Sequence, residues 1–222
     1  NMEHIDNFPI VADSSQEADC ERVVRETINK YGKLDILINN AGISMRALFE
    51  ELDLSVIEQV MRINFFGTVY ITKFALPHLL ESKGSIVGVS SIAGFRGLPG
   101  RTGYSASKFA MQGFLESLRT ELLKKNVHVL LAAPGFTSSN IRNAALVKDG
   151  SSQGDTPRDE GKMMSSEEVA QRIYKAVLKR KRSLVLTRQG KLTVMLNKLF
   201  PGWMDKVVYN AMANEKDSPL KK

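Results

Sequence analysis

Five short apolar runs punctuate the chain, at residues 8–12, 34–38, 85–90, 127–133 and 183–187. Each is four to eight residues long and bounded by Gly, Asp, Asn, Ser or Pro, which reads as a strand buried on both faces. Helical periods fill the gaps. Residues 15–31 place Val23, Val24 and Ile28 on one face and are closed by Gly32. Ser55-Val56-Ile57-Glu58 has the form of a capping box, opening a long helix that carries Val60, Ile63, Asn64, Val69 and Phe74 and ends near Pro77 or shortly after. A third helix follows the loop after residue 90 and runs to about Lys125. Ser165-Ser166-Glu167-Glu168 caps a fourth, which bears Val169, Ile173, Ala176 and Val177. Strands that alternate with helices predict an α/β fold, a Rossmann-like doubly wound parallel sheet. Ligands of such sheets sit at the carboxyl ends of the strands. Asp13, Asn40, Ser91 and Pro134 all fall there.

The remaining stretches add three expectations within a single domain over 1–222. Residues 138–165 are polar and without periodicity, and loops of that length serve as substrate lids. Residues 191–213 form two short apolar helices around Pro201, carrying Leu192, Val194, Met195, Leu199, Phe200, Trp203, Met204 and Val207. Core packing, a subunit contact and a membrane-surface contact are the open readings of that pair. Residues 214–222 are expected to fray. The opening is short for this fold. A strand–helix–strand unit takes roughly 30 residues, no Gly-rich phosphate loop precedes Asp13, and the sequence is expected to begin partway into a longer protein. Without that first unit, the run at 8–12 has no neighbour for its backbone hydrogen bonds.

Composition narrows the function. The chain has 222 residues, 43% of them hydrophobic, enough for one sizeable core. Its net charge of +7 is scattered. The one dense run, Lys179-Arg180-Lys181-Arg182, reads as a solvated helix end, and no aromatic residues interleave with it, so a nucleic-acid partner is not expected. The single Cys20 excludes an internal disulfide framework and suits a reducing, cytoplasmic setting. No apolar run is long enough to span a membrane, and no metal site is expected.

The chemistry concentrates between residues 84 and 125. Tyr104 and Lys108 are four apart on a helix and so share a face. A nearby ammonium favours phenolate, and the pair predicts a Tyr pKa drawn below its usual value of about 10. Such a phenol exchanges protons with a substrate oxygen. Taken alone, Tyr-x-x-x-Lys reads more readily as a half-buried aromatic beside a solvated lysine. Its neighbours change that: Ser91 stands 13 residues before Tyr104, Asn39-Asn40-Ala41-Gly42 follows one strand, Asn64 interrupts a helix, and Pro134-Gly135 follows another strand.

In combination these motifs resemble the short-chain dehydrogenase/reductase family over nearly the whole chain. The resemblance implies an oxidoreductase acting on a small-molecule carbonyl or alcohol with NADP(H) or NAD(H). It implies Tyr104 as the acid/base, Lys108 as its modulator and a ribose ligand, and Ser91 as the holder of the substrate oxygen, with Ser90 as a rival. Asn64 would bind a water in a proton relay. Asp13 and Ser14 would meet the adenine, although Asp13 reads equally as a helix N-cap. Asn40, Ala41 and Gly42 would line the adenosine ribose, and Pro134, Gly135, Thr137 and Ser139 would face the nicotinamide. The runs PGFTSSNIRNAAL and KDGSSQGD resemble a member 7B-like branch, which implies lipid-like substrates and a slight preference for NADP(H). A homodimer or homotetramer through the helices at 55–77 and 104–125 is also implied, with Ala106, Ala110 and Gly113 permitting close approach or packing within the monomer. The other classes to weigh are a non-catalytic nucleotide-binding scaffold and a basic nucleic-acid binder.

Overall fold

A computed structural model describes residues 6–154, 161 and 163–221. Four parallel strands form one sheet in the order β1 (Ile36–Asn39), β2 (Ser85–Val89), β3 (His128–Ala133) and β4 (Ser183–Val185). The register pairs Ile86 with Val129 and Ala132 with Leu184. Past the hydrogen-bonded pair Ser85 and His128 that opens them, β2 and β3 carry only apolar residues and glycine, because both faces are covered. Alternate side chains divide the core. Ile86, Val129 and Leu131 meet α1 (Glu17–Tyr31), α3 (Gly67–Ser82) and α4 (Thr102–Glu121), while Val87, Leu130 and Ala132 meet α5 (Ser166–Leu178). Gly88 lets α4 lie close on β2, since a Cβ there would stand 2.2 Å from Leu115 Cδ1.

Residues 8–12 are not a strand. They are extended coil, with Val11 94% exposed, Phe8 edge-on to Tyr31, and the Val11 carbonyl accepting from Arg22. An apolar run cannot hold strand form without a ladder neighbour, and among the described residues none flanks it. β1 shows the same effect. Its pattern alternates, with Leu37 and Asn39 buried and Ile36 and Ile38 exposed, because only one of its faces and one of its edges are covered.

The long helix starts earlier than its pattern predicts. α2 (Leu54–Met61) begins after Asp53, so Ser55 lies inside it and forms no capping box. A π-helical turn, Arg62–Phe66, joins α2 to α3. α3 then passes through Pro77, which is solvent-exposed, and stops at Lys83 in the left-handed region at φ 53°. Ser165 does cap α5, accepting from the Glu168 N–H at 3.1 Å.

α6 (Arg188–Leu199) and α7 (Pro201–Ala213) form a hairpin turned by Pro201. Core packing accounts for only part of it: Met204, Val208 and Met212 are buried, whereas Leu192, Met195, Leu199, Phe200 and Trp203 face outward. No helix among the described residues is long and apolar enough to cross a membrane. The described part of the tail does not fray. Residues 214–221 dock on the body, burying Glu215 and Ser218 before a short 3-10 turn at Pro219–Lys221. The 138–165 loop is tied down at Leu146, which bridges to Met45, and at Met164, which bridges to Thr137. Residues 155–160 and 162 of that loop lie outside the described residues.

Candidate active site

The ends of β1, β2 and β3 set the site. At β2 the chain presents two successive serines, and their side chains part. Ser90 is buried and its hydroxyl accepts from Gln112 Nε2 at 3.1 Å, within the sheet–helix packing. Ser91 turns the other way. Its oxygen accepts from the Ala93 N–H at 3.2 Å, capping the 3-10 turn Ile92–Gly94, and its side chain faces the Tyr104 phenol, where it favours phenolate. The structure therefore brings Ser91, not Ser90, to Tyr104.

Tyr104 sits in the first turns of α4, 8% exposed, among Met45, Val56, Val60, Ala93 and Leu146. Burial pushes its phenol above the ordinary value, and the Ser91 side chain and the Arg101 charge only partly oppose this. The predicted lowering by Lys108 is thus reversed in sign. Desolvation is invisible in a residue spacing, and here it is the largest influence. Lys108, one turn on, is buried too, and burial draws its ammonium down to about 8. Its Nζ donates to the Val89 carbonyl at 3.0 Å and stands over the Tyr104 ring. An ammonium has three donors, so this bond does not exhaust it.

Asn64 is fully buried in the π-helical turn. Its Oδ1 accepts from the Ile43 N–H at 2.8 Å, and its Nδ2 donates to the Ile43 carbonyl and to Ser107 Oγ, each at 2.9 Å. Ser107 in turn donates to the Tyr104 carbonyl at 2.8 Å. Both amide hydrogens are taken by protein partners, which leaves only the acceptor atoms of Asn64 for a water. The geometry is that of a clamp between the segment after β1 and the helix that carries Tyr104 and Lys108. Ser107 is the member that sequence reasoning missed. Its one signal is a serine, a poor helix former, directly before Lys108.

Gly42 completes this group. A Cβ there would stand 3.1 Å from Asn64 Oδ1 and 3.4 Å from Lys108 Nζ. Asn40 and Ala41, just past β1, are exposed, so backbone lies open beside the ammonium. Past β3, Pro134 and Gly135 are half-buried. Gly135 abuts Thr187, whose Cγ2 would lie 2.5 Å from an added Cβ, so a side chain has no room there. Thr137 Oγ1 donates to the Gly135 carbonyl at 3.3 Å, and Ser139 is half-buried nearby in sequence.

Asp13 and Ser14 do not end a strand. Asp13 is exposed; its Oδ1 accepts from the Ser15 N–H at 2.9 Å, and its own N–H donates to Asp19. Nor is it the N-cap, since α1 starts after Gln16. Ser14 lies against the start of α3, where a Cβ on Gly67 would meet its carbonyl oxygen at 2.7 Å. The structure thus brings together Gly42, Asn64, Ser91, Tyr104 and Lys108, and holds the Asp13–Ser14 turn against α1 and α3.

A family model described as short chain dehydrogenase matches residues 1–149. The chain is 35% identical over 213 residues to a mouse (Mus musculus) protein named dehydrogenase/reductase SDR family member 7B, covering 95% of this chain and 66% of that one. It is 41% identical over 163 residues to the rat (Rattus norvegicus) protein of the same name, covering 73% and 50%. An 11-beta-hydroxysteroid dehydrogenase A of Arachis hypogaea is 34% identical over 211 residues, covering 89% and 59%. The chain thus spans between half and two thirds of the length of these relatives. Among solved structures, a short-chain dehydrogenase from Streptomyces avermitilis superposes with a TM-score of 0.74 at 22% identity, covering 92% of this chain and 79% of that one. That likeness establishes the α/β Rossmann-type fold.

Proposed function

The chain belongs to the short-chain dehydrogenase/reductase family, and on that premise we propose that it is an NAD(P)(H)-dependent oxidoreductase interconverting a secondary alcohol with a ketone or aldehyde. The observation that carries the reading is the buried Tyr104 phenol, with Ser91 facing it and the Lys108 ammonium over its ring. Burial keeps the phenol protonated, which is the form that donates. Tyr104 gives its proton to a carbonyl oxygen as negative charge builds there, and the Ser91 hydroxyl is the second donor to that oxygen. In the reverse direction Tyr104 takes the alcohol proton. Lys108 stabilises the phenolate that results.

The residues present fit the nicotinamide end of a dinucleotide. The exposed backbone at Asn40 and Ala41 would meet the adenosine ribose, and the Lys108 donors left over from its bond to Val89 would meet the nicotinamide ribose. Pro134, Gly135, Thr137 and Ser139 would flank it. When bound, the nicotinamide supplies or accepts the hydride. We read NADP(H) as the preferred form, from the likeness to the member 7B proteins. We read the substrate as lipid-like, in keeping with the outward-facing Leu192, Met195, Leu199, Phe200 and Trp203 of the α6–α7 hairpin. Ala106 and Gly113 are exposed on α4 beside Phe109, so packing within the monomer does not employ them, and this face suits a second copy.

The test is to follow oxidation of NADPH and of NADH by the intact protein with ketones and aldehydes of increasing chain length. Turnover that rises with chain length and favours NADPH supports the reading. No turnover with any carbonyl in either direction removes it.

A further inference from the structure

Three buried charges meet where the pattern of the sequence predicts a loose end. Glu215 lies just past α7 with its side chain 4% exposed. One carboxylate oxygen accepts from Arg101 Nη2 at 2.8 Å and stands 3.7 Å from Arg46 Nη2. Arg46 also donates to the Lys216 carbonyl at 2.5 Å, and Arg101 contacts the Met212 sulfur at 3.1 Å. Buried ions are costly unless paired, so this arrangement ties the tail to two defined points.

Those points are the two segments that wall Tyr104. Met45 and Ala47, on either side of Arg46, pack in the same apolar cluster as the Tyr104 ring. Arg101 immediately precedes α4, three residues before Tyr104. The segments are also joined directly, since the Ala47 N–H donates to the Gly100 carbonyl at 3.0 Å. The 138–165 loop belongs to the same wall, because the Arg46 N–H donates to the Leu146 carbonyl and the Leu146 N–H to the Ser44 carbonyl. Pro219 of the tail rests on Gly100, at 3.3 Å from an added Cβ.

We propose that Glu215 is a positioning residue for the reaction at Tyr104: its carboxylate straps the C-terminal tail across residues 43–47 and 98–101 and sets both the substrate wall and the charge held beside the phenol. The inference rests on the oxidoreductase reading above. Among the described residues, the charged groups that face Tyr104 are Lys108 of its own helix and Arg101 before it, with Arg46 and Glu215 acting through Arg101. The end of β2 presents the neutral Ser91, while α2 and residues 141–146 present Val56, Val60, Ile141 and Leu146.

The sign of each substitution follows. The Arg101 charge favours phenolate, and Glu215 opposes it by partly neutralising Arg101. Alcohol oxidation requires phenolate, so its rate rises with pH through the phenol midpoint. Glu215→Gln should lower that midpoint by a few tenths of a pH unit and raise the substrate KM several-fold, leaving the cofactor KM unchanged. Arg101→Gln should raise the midpoint, and Glu215→Asp should keep the wild-type value. A purely structural role would move both variants in one direction. Shifts of opposite sign support the proposal; shifts of the same sign, or Glu215→Gln with wild-type midpoint and KM, overturn it. Should Glu215→Gln melt below the assay temperature, Arg101→Gln decides alone, and a midpoint that fails to rise overturns it. An inactive wild type removes the underlying reading instead.

Discussion

The Lys108 ammonium stands 5.8 Å from the centroid of the Tyr104 ring and donates a 3.0 Å hydrogen bond to the Val89 carbonyl. Function and stability pull this cation in opposite directions. Burial holds it at about 8, below its usual 10.5, a penalty of roughly 3 kcal/mol at neutral pH. Between those two values the unfolded chain binds the extra proton, so the native state gains stability as pH rises through that window. Lys108→Met should therefore abolish turnover while raising the melting temperature at pH 7, with the gain shrinking toward pH 10. Melting curves of both proteins across that range check this. A variant that melts lower than wild type at pH 7 would contradict it.

Ser90 and Ser91 are neighbours with opposite assignments. Ser91→Ala should reduce kcat/KM on the order of 10²-fold, as the loss of a donor to the developing oxyanion does, with stability changed by no more than about 1 kcal/mol. Ser90→Ala strands the Gln112 amide in the core and should cost about 1–2 kcal/mol while leaving kcat/KM near wild type. Urea unfolding and steady-state kinetics on both variants separate the two. An interchange of the phenotypes would reassign the site.

Gly42→Ala should crowd two groups that cannot readily yield. Asn64 is held by the Ile43 backbone and Ser107, and Lys108 by Val89. With a Cβ at 3.1 Å from one and 3.4 Å from the other, the variant should lose about tenfold or more in kcat/KM and melt lower. Asn64→Leu would leave the Ile43 N–H and carbonyl unpaired and should destabilise by about 2–4 kcal/mol. Denaturant titration measures both, and wild-type stability in Asn64→Leu would refute the clamp.

Much of the fold is legible in residue pattern alone. The runs that became β1 to β4 are short, apolar and bounded, and the candidate site residues follow the ends of the first three. Ser91, Tyr104 and Lys108 are readable because strand and helix geometry convert their spacing directly into proximity. The rest depends on what each segment meets. Residues 8–12 have strand composition but no ladder neighbour. Asp53 rather than Ser55 precedes α2, and nothing local distinguishes the two. Asn64 reads as a helix interruption until Ile43, 21 residues earlier, and Ser107, 43 later, close around it. Glu215 belongs to a polar tail by composition, and it gains its place in the core from residues far away in sequence, among them Arg101, 114 residues earlier, and Arg46. The direction of the Tyr104 shift likewise follows from burial, which spacing does not encode.

The central claim is that the Tyr104 phenol exchanges the proton with the substrate oxygen. It is tested most directly by turnover of the intact Tyr104→Phe protein, with dinucleotide affinity measured in parallel by fluorescence titration. The account predicts a fall in turnover of at least about 10²-fold with affinity unchanged. Wild-type turnover in that variant would contradict it.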